Sequence, residues 1–325
     1  LQMWDTFRSV VRFRAPELDP VERRLRGAAT VDDLRRIAKR RLPAGVFDYI
    51  DGGSGDERTL AANAEVFGRV AYNPNVLRDV SQLDTTTTLF GRAIAMPLVL
   101  APTGFTRITH SAGELSVARA AARANLPYSL STMGTRSIEE VAAAAAEVAA
   151  GAAQWFQVYT WKDHGLVADM IARAKAAGFE ALWLTVDTAV LGNRERDVRR
   201  GFTIPPKIGP ATILDGIVHP SWTWDFINHE PIVFANVAGS VDPGEADGSE
   251  PMELAQHVMH NFDQKLSWAD VEWIQSLWDG PLVLKGIQTV ADAEQAVRLG
   301  VQGIGLSNHG GRQLDGAPTP LELVE

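Results

Sequence analysis

MPLVLAPTGFTRITHSAGELSVARAAARANLPYSLST, residues 96–132, contains one complete structural unit, and the rest of the chain is read from it. It opens on an apolar run, MPLVLAP (96–102), crosses a polar turn, and enters SAGELSVARAAARAN (111–125), rich in the helix formers alanine, leucine and arginine. It closes on a second apolar run, LPYSLST (126–132). A short Leu/Val run without alternation reads as a strand buried on both faces. Strand, helix and strand in succession read as a parallel crossover.

The same rhythm recurs downstream in the apolar runs WFQVYT (155–160), ALWLTVD (181–187), PLVLKG (281–286) and VQGIGLSN (301–308). Between them SIEEVAAAAAEVAA (137–150) has Ser137 and Glu140 at capping-box spacing, and DHGLVADMIARAKAAG (163–178) ends on a glycine stop. TVADAEQAVRLG (289–300) carries Thr289 and Asp292 at its head and Gly300 at its tail. Upstream, TVDDLRRIAKRRL (30–42) starts on Thr30 and Asp33, again a capping-box pattern, and Pro43 ends that helix or begins the next. A parallel sheet buried on both faces follows, either a (β/α)8 barrel or a doubly wound sheet. Six runs precede Glu325 where a closed barrel has eight strands, so a barrel reading implies one lacking its last two strands.

The fourth and fifth runs are separated by residues 188–280, whose middle is rich in Pro, Trp, Gly and acids. The expectation is a long loop insertion at about 205–262, acting as a lid or binding loop. Its Trp222 and Trp224 have three readings: covering a pocket, touching a membrane surface, or packing, which is the default. The first 29 residues hold arginines and acids but no apolar signal core, and read as an N-terminal extension.

Bulk composition narrows the function. The chain has 325 residues, a net charge of -9 and no cysteine. The acidic balance argues against nucleic acid as the main partner. The missing cysteines exclude a disulfide scaffold, a thiolate metal site and a cysteine nucleophile, and fit a cytoplasmic, reducing setting. No run of eighteen apolar residues suggests a membrane span.

Polar residues cluster where the runs end. Thr103 and Gly104 follow the first, Ser131 and Thr132 close the second, and Gln157 and Tyr159 lie in the third. Thr185 and Asp187 close the fourth, Lys285 the fifth, Ser307 and His309 the sixth. The carboxyl ends of parallel barrel strands form one rim, where active sites are built. An unpaired polar group at a buried strand end costs about 1–3 kcal/mol, so packing alone does not explain this pattern. Lys285 ends a run of Leu, Val and Leu and calls for an anion opposite it. His309, in SNHGGRQLD, lies among glycines that let backbone approach a ligand, with Arg312 three residues on. Asp187 either orients an imidazole or caps the following turn, and Arg194 alone reads as a surface residue. Tyr49 and Tyr159 also read as core or strand tyrosines. His257 and His260 have one-turn spacing but no carboxylate or cysteine nearby, so no metal is expected. Neither a G-x-G-x-x-G dinucleotide fingerprint nor a G-x-x-x-x-G-K-[ST] phosphate loop is present.

PAGVFDYIDGGSGDERT, MPLVLAPTGF, WFQVYTWKD, LTVDTAVLGNRERDVR, LVLKGIQT and LSNHGGRQLDGAP resemble, in order, the motifs of the FMN-dependent L-2-hydroxy-acid dehydrogenase and oxidase family. The resemblance runs from about residue 30 to the last. It implies a TIM barrel over 30–325 with FMN at the carboxyl rim, and FMN contacts at Pro102, Thr103, Gly104, Ser131, Gln157, Thr185, Lys285 and Ser307. It implies substrate contacts at Tyr49, Tyr159, Arg194 and Arg312, with His309 as base and Asp187 behind it; Tyr159 and Lys285 join these two as catalytic candidates. The implied reaction is oxidation of a small L-2-hydroxy acid, foremost L-lactate, to the 2-oxo acid, electrons passing to FMN and on to a quinone, cytochrome or oxygen. The alternatives are a lactate monooxygenase, a glycolate-type oxidase, or a truncated, non-catalytic fragment. The wording is nearest to actinobacterial L-lactate dehydrogenases, and the family implies a homotetramer; Trp222 and Trp224 leave a peripheral membrane contact open. Gly104 stands where glycolate oxidases carry alanine, which argues against strong oxidase activity. The family binds the FMN phosphate with a D-G-G-type strand and a G-R motif on its last two strands, and this sequence ends before both, so weaker FMN binding is expected of it.

Overall fold

The computed structural model describes residues 7, 10–12, 15–200, 209–238 and 262–324. His257, His260 and the PGEADGSEP stretch lie outside them. Short helix α1 (Pro20–Leu25), capped by Asp19, precedes α2 (Val31–Arg41), α3 (Ala44–Asp51) and α4 (Arg58–Glu65). A hairpin of β1 (Thr87–Leu89) and β2 (Arg92–Ile94) follows. The crossover units are then α5 (Gly113–Ala124), β3 (Tyr128–Ser131), α6 (Ile138–Ala146), β4 (Gln154–Val158), α7 (His164–Ala176) and β5 (Ala181–Thr185). Helices α8 (Glu195–Arg200), α9 (Pro210–Val218), α10 (Pro220–Ile227) and α11 (Ala235–Ala238) belong to the long connection. It leads through α12 (Trp268–Leu277) to β6 (Leu282–Ile287), α13 (Val290–Arg298) and β7 (Gly303–Leu306).

Local chemistry sets the helix starts. Thr30 with Asp33 and Ser137 with Glu140 both close full capping boxes, and Thr289 accepts from the Asp292 N–H. The strands carry large apolar side chains, and every residue of β3 and β4 is buried. Leu130, Phe156, Leu182, Leu184 and Leu284 meet Val141, Met170 and Ile171 of the helices, all with exposures of 1% or less. Each such side chain contributes about 1.5–3 kcal/mol by leaving water.

Strand order decides between the two architectures. The parallel sheet runs β3-β4-β5-β6-β7 with every neighbour consecutive in the chain. A doubly wound sheet reverses direction at a switch point, and this one does not, so it winds as a (β/α)8 barrel. The first apolar run joins the wall through a single parallel bridge, Leu100 to Tyr128. Among the described residues the wall does not close on itself: β3 and β7 are the ends of the sheet. At the amino ends of the strands the β1–β2 hairpin covers the barrel floor, with the Phe90 ring 5.5 Å from Trp155.

Candidate active site

Five consecutive wall positions each bring one polar side chain to the carboxyl rim: Ser131, Gln157, Thr185, Lys285 and Ser307. The Ser131 hydroxyl donates to Gln157 Oε1 (3.0 Å), and Gln157 Nε2 donates to Thr185 Oγ1 (3.0 Å). Thr185 stands opposite Lys285 in the register, and Lys285 Nζ donates to Ser307 Oγ at 3.3 Å. Buried polar groups need partners, and these satisfy one another. Lys285 is the exception in degree. One long hydrogen bond is thin provision for an ammonium with three donors, and burial lowers its pKa while Asp187 opposes the shift.

Glycine shapes this rim at two places. β6 bulges between Lys285 and Ile287, and Gly286 takes φ 113° there. A Cβ on Gly286 would come within 2.7 Å of the Asp187 Cβ, so only glycine lets the aspartate lie beside Lys285. At Gly104 a Cβ would meet Met133 Cβ at 2.8 Å. That glycine therefore has a packing reason: it lets Pro102, Thr103 and Gly104 press against the turn after Ser131, where Phe105 N donates to Met133 O (2.9 Å).

His309 adopts φ 58°, the left-handed region, with Gly310 and Gly311 following at positive φ. A non-glycine residue there is strained and signals a constraint at a functional site. Its N–H donates to Ser307 Oγ (3.0 Å) and its Nδ1 lies 2.9 Å from Asp187 Oδ1. An ionised carboxylate only accepts, so Nδ1 carries the proton, and in the neutral imidazole Nε2 is then the nitrogen with the lone pair. The Asp187 side chain is 5% exposed, and its Oδ2 has no partner among the described residues.

Beside this pair two guanidinium groups converge. Arg312 and Arg194 both donate to the Tyr49 carbonyl and lie over the Tyr49 ring, at 5.7 and 4.7 Å from its centroid. Arg312 also donates to Ile50 O (2.6 Å). Burial, and after it the Arg194 charge, push the Arg312 pKa down. Asp197 Oδ2 lies 3.2 Å from Arg194 Nη1 and offsets one positive charge; Arg312 has no ion pair among the described residues. The site therefore has room for one more anion, and two arginine forks suit a carboxylate. Burial raises the pKa of Tyr49, against the two arginines, and that of Tyr159, with Asp187 adding to it. Both phenols stay neutral and can donate a hydrogen bond.

The structure thus brings His309 to Asp187 and Arg312 and Arg194 to Tyr49, and links Ser131, Gln157 and Thr185, and Lys285 and Ser307, along the rim. It adds three that sequence reasoning passed over. Asp197 was visible only as the i,i+3 partner of Arg194. Ser54 donates through its N–H to Gly311 O (2.8 Å), tying the loop after α3 to the His309 loop. Gln313 binds the loop that carries Asp187. Among the described residues no group of three or more His, Asp or Glu could hold a metal.

Comparison with known proteins finds relatives over most of the chain. The profile described as FMN-dependent dehydrogenase covers residues 38–325. A protein of Mycobacterium tuberculosis (strain ATCC 25618 / H37Rv) is 42% identical over 315 residues, 97% of this chain and 73% of that protein. The L-lactate dehydrogenase of Chromohalobacter salexigens is 42% identical over 296 residues, 90% of this chain and 72% of its own length. Among solved structures, the monotopic membrane protein (S)-mandelate dehydrogenase superposes with a TM-score of 0.84 at 34% identity, over 91% of this chain and 76% of that one.

Proposed function

The chain belongs to the FMN-dependent dehydrogenase family, and we propose that the rim cluster oxidises L-lactate, with His309 as the base. The chain is an FMN-dependent oxidoreductase acting on a small 2-hydroxy acid, with the 2-oxo acid as product. One observation carries the residue assignment: His309, held through Nδ1 by Asp187 at 2.9 Å, shares its loop with Arg312, which converges with Arg194 on the Tyr49 carbonyl and has no ion pair among the described residues.

The donor set fits FMN. The isoalloxazine edge presents several acceptors and one N–H. Ser131, Gln157 and Thr185 offer hydroxyl and amide groups that both donate and accept, and Lys285 supplies an under-partnered cation. These residues, with Pro102, Thr103, Gly104 and Ser307, would hold the ring. When bound, FMN supplies a two-electron acceptor. The rest of the reaction falls to the chain. Arg312 and Arg194 grip the substrate carboxylate and aim its hydroxyl-bearing carbon. His309 Nε2 takes a proton released as the substrate is oxidised, and Asp187 stabilises the imidazolium so formed. The neutral phenols of Tyr49 and Tyr159 donate to substrate oxygens, and Lys285 offsets negative charge that develops opposite it. Anaerobic addition of L-lactate to the yellow FMN-loaded protein is expected to bleach the flavin absorption, and D-lactate is not. A protein that takes up no FMN, or keeps its colour under L-lactate, overturns this reading.

A second observation favours a membrane-borne acceptor such as a quinone. Helices α9 and α10 are amphipathic in the inverted sense. Ile213, Leu214, Ile217, Val218, Trp224 and Ile227 are 54–70% exposed. The polar groups of the same helices turn inward: Asp215 accepts from Ala44 N (2.7 Å), Asp225 from Ser111 N (2.9 Å), and Trp222 Nε1 donates to Ile108 O (2.7 Å). An exposed apolar face whose half-buried polar groups bond back to the body of the protein suits a lipid interface rather than water. Among the described residues no helix is long and apolar enough to cross a membrane, so the contact would be peripheral. The Ile217→Asp/Trp224→Asp double variant is expected to lose about tenfold in affinity for anionic lipid vesicles, near 1.4 kcal/mol. It should keep its rate with a water-soluble dye as acceptor. Co-sedimentation equal to the parent protein removes this face from the contact.

A further inference from the structure

Asp187 and Arg194 lie on the segment between β5 and α8, whereas His309 and Arg312 lie on the loop after β7. Neither segment is helix or strand where it carries these residues. Yet the site works only if His309 Nδ1 and Asp187 Oδ1 stay at hydrogen-bond distance, 2.9 Å here. Something must hold the two loops in register.

We infer that Gln313 is the positioning residue that does so, through a side-chain amide whose two ends both bind the backbone of the Asp187 loop. Gln313 Nε2 donates to Asp187 O (2.9 Å) and to Val190 O (3.3 Å), while its Oε1 accepts from Gly192 N (2.9 Å). Three backbone groups spanning Asp187 to Gly192 therefore hang on one side chain of the opposite loop. The contact is close enough to select glycine: a Cβ on Gly192 would lie 2.1 Å from Arg312 O. The third loop joins at the same point, because the Ser54 hydroxyl donates to the Gln313 carbonyl and Gly55 N donates to Asn193 O (2.9 Å).

The polarity of the amide explains why glutamine is needed. Two carbonyls face its NH2 and one N–H faces its oxygen. Glutamate has the same shape but sets a carboxylate oxygen against both carbonyls, so it drives the loops apart where glutamine binds them. The loop then shifts at Asp187, and a displacement of about 1 Å at a reacting pair is worth roughly a hundredfold in rate. Gln313 touches neither substrate nor FMN in this account. It acts through Asp187, and the inference rests on the reading of His309 and Asp187 given above.

The test uses the FMN-loaded protein and follows anaerobic flavin reduction at saturating L-lactate. Gln313→Glu is expected to retain the flavin spectrum and to slow reduction about 10–100-fold. In an Asp187→Asn background the same substitution should cost less than about threefold, because the pair it positions is already broken. A purely structural role would penalise both backgrounds equally, and that result overturns the inference. So does reduction of Gln313→Glu at the parent rate. Gln313→Ala, which removes the amide without adding charge, carries the same comparison should the glutamate variant fail to fold. If the parent protein itself is not reduced by L-lactate, it is the reading of the site that fails, not the role of Gln313.

Discussion

His309→Gln is expected to leave FMN bound and to slow its reduction by L-lactate at least a hundredfold. General base catalysis is worth about 10²–10⁴, and the substitution removes the imidazole paired with Asp187. Glutamine is the informative choice. It keeps a side chain with Cβ at a position of φ 58°, so the backbone strain there is little changed. It also keeps a donor able to face Asp187 Oδ1, so the buried carboxylate is not simply abandoned. What it lacks is a basic nitrogen where Nε2 stood. Ser131, Gln157, Thr185 and Lys285, proposed to hold the ring, are on other strands, and the flavin spectrum should be unaltered. Stopped-flow reduction under nitrogen reads the rate directly; a variant reduced nearly as fast as the parent removes His309 from the chemistry.

Much of this site was legible because its chemistry conflicts with its surroundings. A lysine ending a Leu-Val-Leu run and a histidine among glycines stand out in a buried strand end, and the structure places both on the rim. Capping boxes at Thr30 and Ser137 were legible for the same local reason: the side chain and the N–H it satisfies are three residues apart. Where the signal is not local, reading the chain fell short. The apolar runs suit a barrel and a doubly wound sheet equally, and only the pairing order β3-β4-β5-β6-β7 separates them. The β1–β2 hairpin was missed because both its turn residues have positive φ, Phe90 at 49° and Gly91 at 81°. Such turns usually announce themselves by Asn-Gly, and phenylalanine hides this one. In the long connection, prolines were read as loop composition. Pro210 and Pro220 instead occupy the first turn of α9 and α10, where the missing N–H costs nothing. Gln313 was invisible for a further reason: it acts on a loop that is a neighbour in space, and ordinary spacing does not reveal it.

Arg312→Lys is expected to weaken binding of L-lactate, and of oxalate as a non-reacting carboxylate, by roughly 10–100-fold, although the formal charge is conserved. The guanidinium is a planar fork. Here it spends N–H groups on Tyr49 O and Ile50 O while leaving others for a ligand, whereas an ammonium cannot serve both directions in fixed geometry. Loss of one charge-assisted hydrogen bond accounts for about 1.5–3 kcal/mol. Electrostatics add a dependence on pH. Burial and the neighbouring Arg194 push the Arg312 pKa down, but an arginine begins high enough to stay charged. A lysine in the same place begins about two units lower and meets the same burial and the same positive neighbour. A base whose pKa is depressed loses its proton as pH rises, so the variant's grip on carboxylates should fall on the alkaline side while the parent's does not. Titrating oxalate into both proteins, followed by the flavin spectrum between about pH 6 and pH 9, a window below the ordinary lysine value, separates the two effects. A constant deficit across the range reports the lost fork, and a deficit growing with pH reports the lost charge. Equal affinity in parent and variant at every pH would show that the substrate carboxylate is anchored elsewhere.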